Sequence, residues 1–240
     1  MSGTAYVALS GLRVRMQHLD RVASDIANAS TPGYKSQRAG DRAVERPNFG
    51  QVLDSAVDVT TGPSRIDFRS GEVLPTGRDL DFAVDGRAFM VVDTPGGPRY
   101  VKGGQFKRAA DGTLTTVEGF AVRGESGPIQ IEAKPVTVQP DGTILNGNKP
   151  AGKVRLVAFD DEQVLEREGI GRYRAPAGLD PRKATTATLH GGVLEQSNVS
   201  VPDCLAELTE VVRGFGALQR GITVLMNDID GRVIAELGRR

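Results

Sequence analysis

The stretch DLDFAVDGRAFMVV, residues 79–92, holds two short apolar runs separated by Asp85-Gly86. Aspartate followed by glycine supplies the positive backbone angles of a tight hairpin. Gly96-Gly97, Asp111-Gly112 and Asp141-Gly142 separate further β-branched runs in the same way. The repetition predicts an antiparallel β domain over residues 71–192, a small sandwich or barrel-like sheet, with strands at residues 88–92, 113–117, 121–122, 129–131, 136–138, 143–145 and 154–159.

Three aspartates in the opening stretch, at positions 79, 81 and 85, make the strongest case for catalysis. Two carboxylates held several ångströms apart can serve a glycoside hydrolase as acid and base. Alternation along a strand, however, places Asp81 and Asp85 on one face and Phe82 on the other, which is typical of a strand with one solvated face. We therefore predict no catalytic residue. A hydrolytic enzyme with helical dimerisation segments remains the competing class of function.

Other chemistry has little support in the sequence. His18 and His190 have no partner at metal-ligand spacing, so no metal site and no cofactor are predicted. The pairs Gly103-Gly104 and Gly191-Gly192 lack the spacing of a dinucleotide site and are interpreted as turns. Thirty basic residues balance thirty acidic ones, and tryptophan is absent, so nucleic acid and small-molecule substrates are not expected as partners. Cys204 is interpreted as a packing residue.

Both ends of the chain have helical periodicity. Apolar residues recur at steps of three and four from Thr4 to about Ala29, where Thr31-Pro32-Gly33 ends the pattern. A second apolar stripe runs from Pro202 through Ile229. At its start, Ser200 and Asp203 have the spacing of a capping box. Asp228-Ile229-Asp230-Gly231 is interpreted as a helix break or C-terminal cap. Between the first helix and the β domain, residues 36–70 form a polar connector with a short apolar patch at Val52, Leu53, Val57 and Val59.

The fold predicted from these patterns is α+β: a central antiparallel β domain flanked by N- and C-terminal amphipathic helices that pair as a coiled-coil-like assembly domain. The domains are residues 1–35 for the first helix, 36–70 for the connector, 71–192 for the β domain and 193–240 for the second helix. Such a pair leaves a second apolar edge exposed and gains stability from neighbouring copies. Gly214, Gly216 and Gly221 weaken the second helix, or let another helix approach closely.

Two motifs border the helices. Asn28-Ala29-Ser30-Thr31-Pro32-Gly33-Tyr34-Lys35 follows the first helix, and Leu194-Glu195-Gln196-Ser197-Asn198-Val199 precedes the second. Both resemble the terminal signatures of the bacterial flagellar rod and hook proteins, and residues 79–89, 100–106, 112–114 and 119–120 are similar to the central segment of that family. Within the family, the length of the chain and its short connector look most like a proximal rod protein. A distal rod or hook-type axial subunit is the alternative, and a soluble adaptor that binds one helical partner is a third class.

The resemblance implies a structural subunit of the flagellar basal-body rod, which self-assembles into a helical tube and transmits torque from motor to hook. The implied partners are copies of the chain, other rod proteins and the flagellar export apparatus. The implied location is the rod in the periplasm, reached without a cleaved signal peptide, since the charged first helix has no apolar core for one. The predicted assembly interface consists of Leu12, Met16, Leu19, Val22, Ile26, Asn28, Thr31, Pro32, Gly33, Tyr34, Leu194, Glu195, Ser197, Asn198, Val199, Leu208, Val212, Phe215, Leu218, Ile222, Leu225 and Ile229.

Overall fold

The computed structural model of the protein describes residues 3–38, 64–133 and 135–237, and the side chains of residues 3–10, 218, 222 and 224–237 in the helices lie outside that description. The chain divides into two compact units. Unit 1 comprises Met1–Ala27, Gln37–Arg65 and Ser200–Arg240, and unit 2 comprises Asn28–Ser36 and Ile66–Val199. Both motif segments, residues 28–35 and 194–199, therefore belong to unit 2. The predicted apolar patch of the connector at residues 52–59 lies outside the described residues.

Unit 1 is built on two helices, α1 (Gly3–Ala27) and α2 (Val201–Leu237). Helix α2 begins directly after Ser200, whose Oγ accepts a bond from the Asp203 backbone N–H at 3.5 Å, as the capping-box spacing predicts. The interpretation of residues 228–231 as a break or cap is wrong, because α2 continues through them to Leu237. One glycine in a helix costs only about 1 kcal/mol, and the hydrogen-bond ladder on either side outweighs that cost.

Unit 2 holds most of the strands. In chain order the strands are β1 (Gln37–Arg38), β2 (Arg65–Ile66), β3 (Val73–Pro75), β4 (Asp81–Asp85), β5 (Phe89–Thr94), β6 (Gly97–Val101), β7 (Gly103–Arg108), β8 (Leu114–Thr116), β9 (Ala121–Gly124), β10 (Gly127–Pro128), β11 (Val136–Val138), β12 (Thr143–Asn146), β13 (Lys149–Lys153), β14 (Leu156–Ala158), β15 (Glu166–Arg167), β16 (Arg172–Arg174), β17 (Arg182–Lys183), β18 (Thr188–Gly191) and β19 (Val193–Glu195). A 3-10 turn at Glu162–Val164 separates β14 from β15.

The main sheet has the order β15-β16-β6-β5-β9-β8-β7-β4-β18, with β10 beside β9, and β14 bridging β5 and β17. Strands β11, β12 and β13 form a second sheet, and β3 pairs with β19. The pairings within unit 2 are antiparallel throughout the described strands. The predicted α+β class with a central antiparallel β domain is confirmed, whereas a coiled coil of the two helices stays a prediction.

The hairpins predicted at Gly96-Gly97, Asp111-Gly112 and Asp141-Gly142 are confirmed, since β5 pairs with β6, β7 with β8 and β11 with β12. The hairpin predicted at Asp85-Gly86 is wrong, because among the described strands β4 pairs with β7 and β18 and not with β5. Gly86, Gly97, Gly112 and Gly142 all have positive φ, between 87° and 100°. A positive φ turns the chain but does not decide which strands pair.

The interpretation of Gly103-Gly104 as a turn is wrong, since both residues lie inside β7. A Cβ on Gly103 would lie 2.3 Å from the Phe82 carbonyl oxygen of β4, so glycine is needed here for close strand approach. Of the pair Gly191-Gly192, Gly191 ends β18, whereas Gly192 has a φ of 73° and forms the predicted turn between β18 and β19.

Strand β5 is buried on both faces and divides the core. Met90 and Val92 pack into one apolar cluster, and Phe89 and Val91 pack into another. The second cluster is rich in aromatic contacts, with Phe68 edge-on to Phe89 at a centroid distance of 5.3 Å. Two clusters on opposite faces of one strand give unit 2 a layered core.

The solvated face predicted for β4 is wrong for Asp81, whose side chain is 0% exposed. Strand β4 lies between β7 and β18 and also contacts β19, so its second face is covered. Among the described residues neither carboxylate oxygen of Asp81 has a hydrogen-bond partner, and its one ion-pair contact is Arg78 Nε at 3.7 Å. Alternation in a sequence identifies two faces of a strand but not whether a further layer covers one of them.

Candidate functional site

The three aspartates considered for catalysis do not form a carboxylate pair. Asp79 Oδ2 accepts a bond from the Val136 backbone N–H, Asp81 is buried, and Asp85 Oδ1 accepts from the Gly86 N–H at the β4–β5 turn. Asp81 and Asp85 stand at opposite ends of β4, about 13 Å apart at the usual strand rise. A glycosidase needs its carboxyl groups roughly 5–9.5 Å apart and open to substrate. The described geometry does not support hydrolysis at these residues.

Helix α1 leaves one apolar edge exposed. Val22 is buried, Leu12, Leu19 and Ile26 are half-buried, and Met16 is 58% exposed. At 100° per residue these positions spread over about 120° of the helix surface, with Met16 at one limit and Val22 at the other. The predicted interface residues of α1 thus form a stripe with a buried edge and an open edge.

Helix α2 repeats this division. Cys204 and Val211 are buried, Leu208 and Phe215 are half-buried, and the apolar row of Val201, Leu205 and Val212 is exposed. Val212 is 53% exposed and Leu205 is 50% exposed. The apolar row lies within about 40° of arc and is offset by about 90° from the buried pair. The predicted interface residues Leu218, Ile222, Leu225 and Ile229 lie outside the described side chains.

The two helices contact each other through polar groups in unit 1. Glu207 Oε1 on α2 lies 2.5 Å from His18 Nε2 and 2.8 Å from the Arg21 guanidinium on α1. Burial alone would raise the pKa of Glu207, but the His18 bond and the Arg21 charge outweigh it and hold the pKa below its ordinary value. A Cβ on Gly214 would meet the guanidinium of Arg15, the flexible end of a side chain on α1, so the Arg15 side chain packs over this glycine.

The two sequence motifs meet inside unit 2. Lys35 Nζ donates to Glu195 Oε1 at 2.5 Å and to the Arg69 carbonyl at 2.9 Å, and the two side chains are 0% and 4% exposed. Glu195 Oε1 also accepts from the Gly71 N–H at 2.7 Å. A Cβ on Gly71 would lie 2.2 Å from the Gln196 carbonyl oxygen, so glycine is needed at this crossing.

Asn198 completes the contact between the motifs. Its Oδ1 accepts from the Ser36 N–H at 2.7 Å, and its Nδ2 donates to the carbonyls of Asp67 and Arg69 at 2.7 and 3.0 Å. Both amide donors are therefore occupied. We call residues 33–36, 67–71, 167 and 195–198 the motif junction.

Arg167 closes the junction from strand β15. Its guanidinium lies 4.3 Å from the centroid of the Tyr34 ring and donates to the Lys35 carbonyl oxygen. Three of the predicted interface residues in the motifs, Tyr34, Leu194 and Glu195, are buried. Asn28, Thr31, Pro32, Gly33, Ser197, Asn198 and Val199 are half-buried.

Sequence reasoning missed the junction as a structural unit. Opposite charges in the two motifs, Lys35 and Glu195, were a usable signal for pairing. Nothing in the local sequence of Arg167 or Gly71 indicated that either residue would join the motifs, because both lie far from them along the chain.

Comparison with known proteins gives the family. Residues 83–146 match the model of the flagellar hook protein FlgE/F/G D1 domain. The flagellar basal-body rod protein FlgF of Caulobacter vibrioides is 34% identical over 227 residues, which cover 92% of each chain. This chain belongs to the flagellar basal-body rod protein family.

Further relatives agree with this membership. FlgF of Escherichia coli is 30% identical over 248 residues and 97% of each chain. The basal-body rod protein FlgG of Bacillus subtilis is 28% identical over 251 residues, 93% of this chain and 95% of the relative. In the described part of the chain, no helix combines the length and apolarity needed to cross a membrane.

Proposed function

We propose that this chain is a structural subunit of the flagellar basal-body rod, and not an enzyme, and that it assembles with further copies through the open apolar edges of α1 and α2. The observation that carries the proposal is the exposure of Met16 on α1 and of the apolar row on α2 in the single chain. Exposed large side chains in a row along a helix lose contact with water only when another surface covers them.

The proposed partners are copies of this chain, adjacent rod proteins and the flagellar export apparatus, and the proposed location is the rod in the periplasm. Membership of the rod family supports this location. Packing of α1 and α2 between subunits forms a continuous tube in this proposal, and torque passes through it. The short connector supports a proximal position, and tomography of basal bodies with this subunit tagged tests that position. Density for the tag at the hook end would favour the distal alternative.

Substitution of the apolar row tests assembly directly. In Val212→Asp, burial of an unpaired carboxylate between subunits costs several kcal/mol, so we expect loss of swimming and of the subunit from purified basal bodies. Because Val212 is exposed in the single chain, the purified variant should keep the unfolding midpoint of the parent.

Ala206→Asp is the matched control. Ala206 is exposed on the same helix, about 120° around the axis from Val212, so its carboxylate stays in water. We expect normal incorporation of this variant. Basal bodies that contain Val212→Asp at the parental level would refute assembly through the apolar row.

A further inference from the structure

We propose that the motif junction is an internal lock, in which Lys35, Glu195, Asn198 and Arg167 act as positioning residues within one subunit and not as contacts between subunits. With such a lock, the N-terminal motif packs stably in unit 2 only when the C-terminal motif is in place. Its consequence for assembly rests on the function proposed above, whereas its consequence for the single chain does not.

Three backbone groups of residues 33–36 find their hydrogen-bond partners in residues 195–198, near the other end of the chain. The Gly33 N–H donates to the Glu195 carbonyl at 2.7 Å, and the Asn198 N–H donates to the Tyr34 carbonyl at 3.3 Å. The Ser36 N–H finds its acceptor on the Asn198 side chain. Buried backbone groups need such partners, so this motif cannot dock stably before residues 195–198 are in place.

Because the ion pair is buried, the lock fails if either of its two charges is removed. Lys35 is fully buried, and its ammonium is compensated by Glu195 and by the Arg69 carbonyl. Removing either charge leaves the other buried without an opposite charge, which is far more costly than replacing both with apolar groups. A contact between subunits would have no reason to bury both partners in the single chain.

The lock joins the segment that follows α1 to the segment that precedes α2. Helix α1 ends at Ala27, a few residues before the lock, and α2 begins at Val201, just after Asn198. The lock therefore holds residues 33–36 and 195–198, the two segments of unit 2 that adjoin the helices in the chain, against each other. The motifs serve assembly by fixing these two segments, while the apolar row makes the contact between subunits.

Hydrogen exchange of the purified, monomeric full chain tests the lock. We expect peptides covering residues 33–36 and 67–71 to be protected in the monomer. In Lys35→Met their exchange should accelerate at least about 100-fold, since the buried Glu195 carboxylate loses its opposite charge. The double variant Lys35→Met/Glu195→Met should restore protection, because the apolar pair leaves no charge buried.

Lys183→Met is the matched control. Lys183 pairs with Glu125 at 2.7 Å on the surface of unit 2, with a largely exposed side chain, and its loss should leave all exchange rates unchanged. If exchange in Lys35→Met also accelerates over residues 82–92, which lie in the core of unit 2, Asn198→Asp replaces it as the test variant. That variant keeps the acceptor for Ser36, removes both donors, and should free the same two peptides.

Two results would overturn the lock: junction peptides that exchange freely in the monomer and become protected only in rods, or wild-type exchange in both Lys35→Met and Asn198→Asp. The content of variant subunits in purified basal bodies distinguishes failure of the lock from failure of the proposed function. If both proposals hold, Lys35→Met and Val212→Asp are each missing from rods, and the double methionine variant is incorporated. If only the rod function fails, neither variant impairs swimming, while the exchange result still stands.

Discussion

At the residue scale, substitution of glycine by alanine should have opposite effects on stability at Gly71 and at Gly216. Gly71 lies in the motif junction, where a Cβ would lie 2.2 Å from a backbone oxygen that cannot rotate away. Gly216 lies in α2, where a Cβ would come no nearer than 3.5 Å, to the flexible Arg220 side chain. One glycine is required by packing, whereas the other only lowers helix propensity.

Gly71→Ala should therefore destabilise unit 2 by about 1–3 kcal/mol, since the backbone must shift to admit the methyl group. Gly216→Ala should stabilise α2 by up to about 1 kcal/mol. Denaturant unfolding monitored by circular dichroism and tyrosine fluorescence measures both changes. Equal changes of one sign in the two variants would contradict this account of the junction.

At the element scale, contact between α1 and α2 depends on a carboxylate whose charge is maintained by its neighbours. Glu207 faces His18 and Arg21 across the helix pair. Because the pKa of Glu207 is held below its ordinary value, its contribution to stability is complete above the ordinary carboxyl pKa of about 4.3. That contribution is lost as the pH falls through the lowered pKa of the folded state.

Glu207→Gln should accordingly unfold more readily than the parent chain at pH 7, and the difference should shrink as the pH falls through the lowered pKa and the parent carboxyl becomes protonated. Helix ellipticity at 222 nm during thermal unfolding, measured from pH 3 to pH 7, follows the difference. Glu210→Gln is the control, since Glu210 is exposed on the same helix. A constant difference between parent and Glu207→Gln across this pH range would exclude the ionised carboxylate as its cause.

At the scale of the whole molecule, the two units differ in how much they bury. Both apolar clusters lie in unit 2. In unit 1, the buried apolar side chains among the described residues are Val22, Cys204 and Val211. Long helices without a substantial core derive their stability from packing against other surfaces.

We therefore expect the helices of the isolated chain to melt before the β unit. Three of the four tyrosines, Tyr34, Tyr100 and Tyr173, belong to unit 2, so helix ellipticity at 222 nm should fall at a lower temperature than the main change in tyrosine fluorescence. Calorimetry should resolve two transitions. One transition with coincident midpoints would mean that the units unfold together.

Several parts of this architecture follow from local sequence. Asp111-Gly112 and Asp141-Gly142 predict the hairpins β7–β8 and β11–β12, because a tight reversal needs positive φ where glycine stands. The period of the apolar residues predicts both helices, and Ser200 marks the start of α2. These predictions depend on interactions among residues only a few positions apart.

The sequence by itself determined the helices, three of the four predicted hairpins and the family, since the helical period, each of these turns and each motif involves residues close together in the chain. Tertiary structure alone decided that Asp81 is buried, that α2 buries Val211 and exposes Val212, and that Lys35 pairs with Glu195 inside one subunit. The physical reason is that burial and ion pairing depend on which elements cover a residue. In this chain the covering elements come from positions more than a hundred residues away.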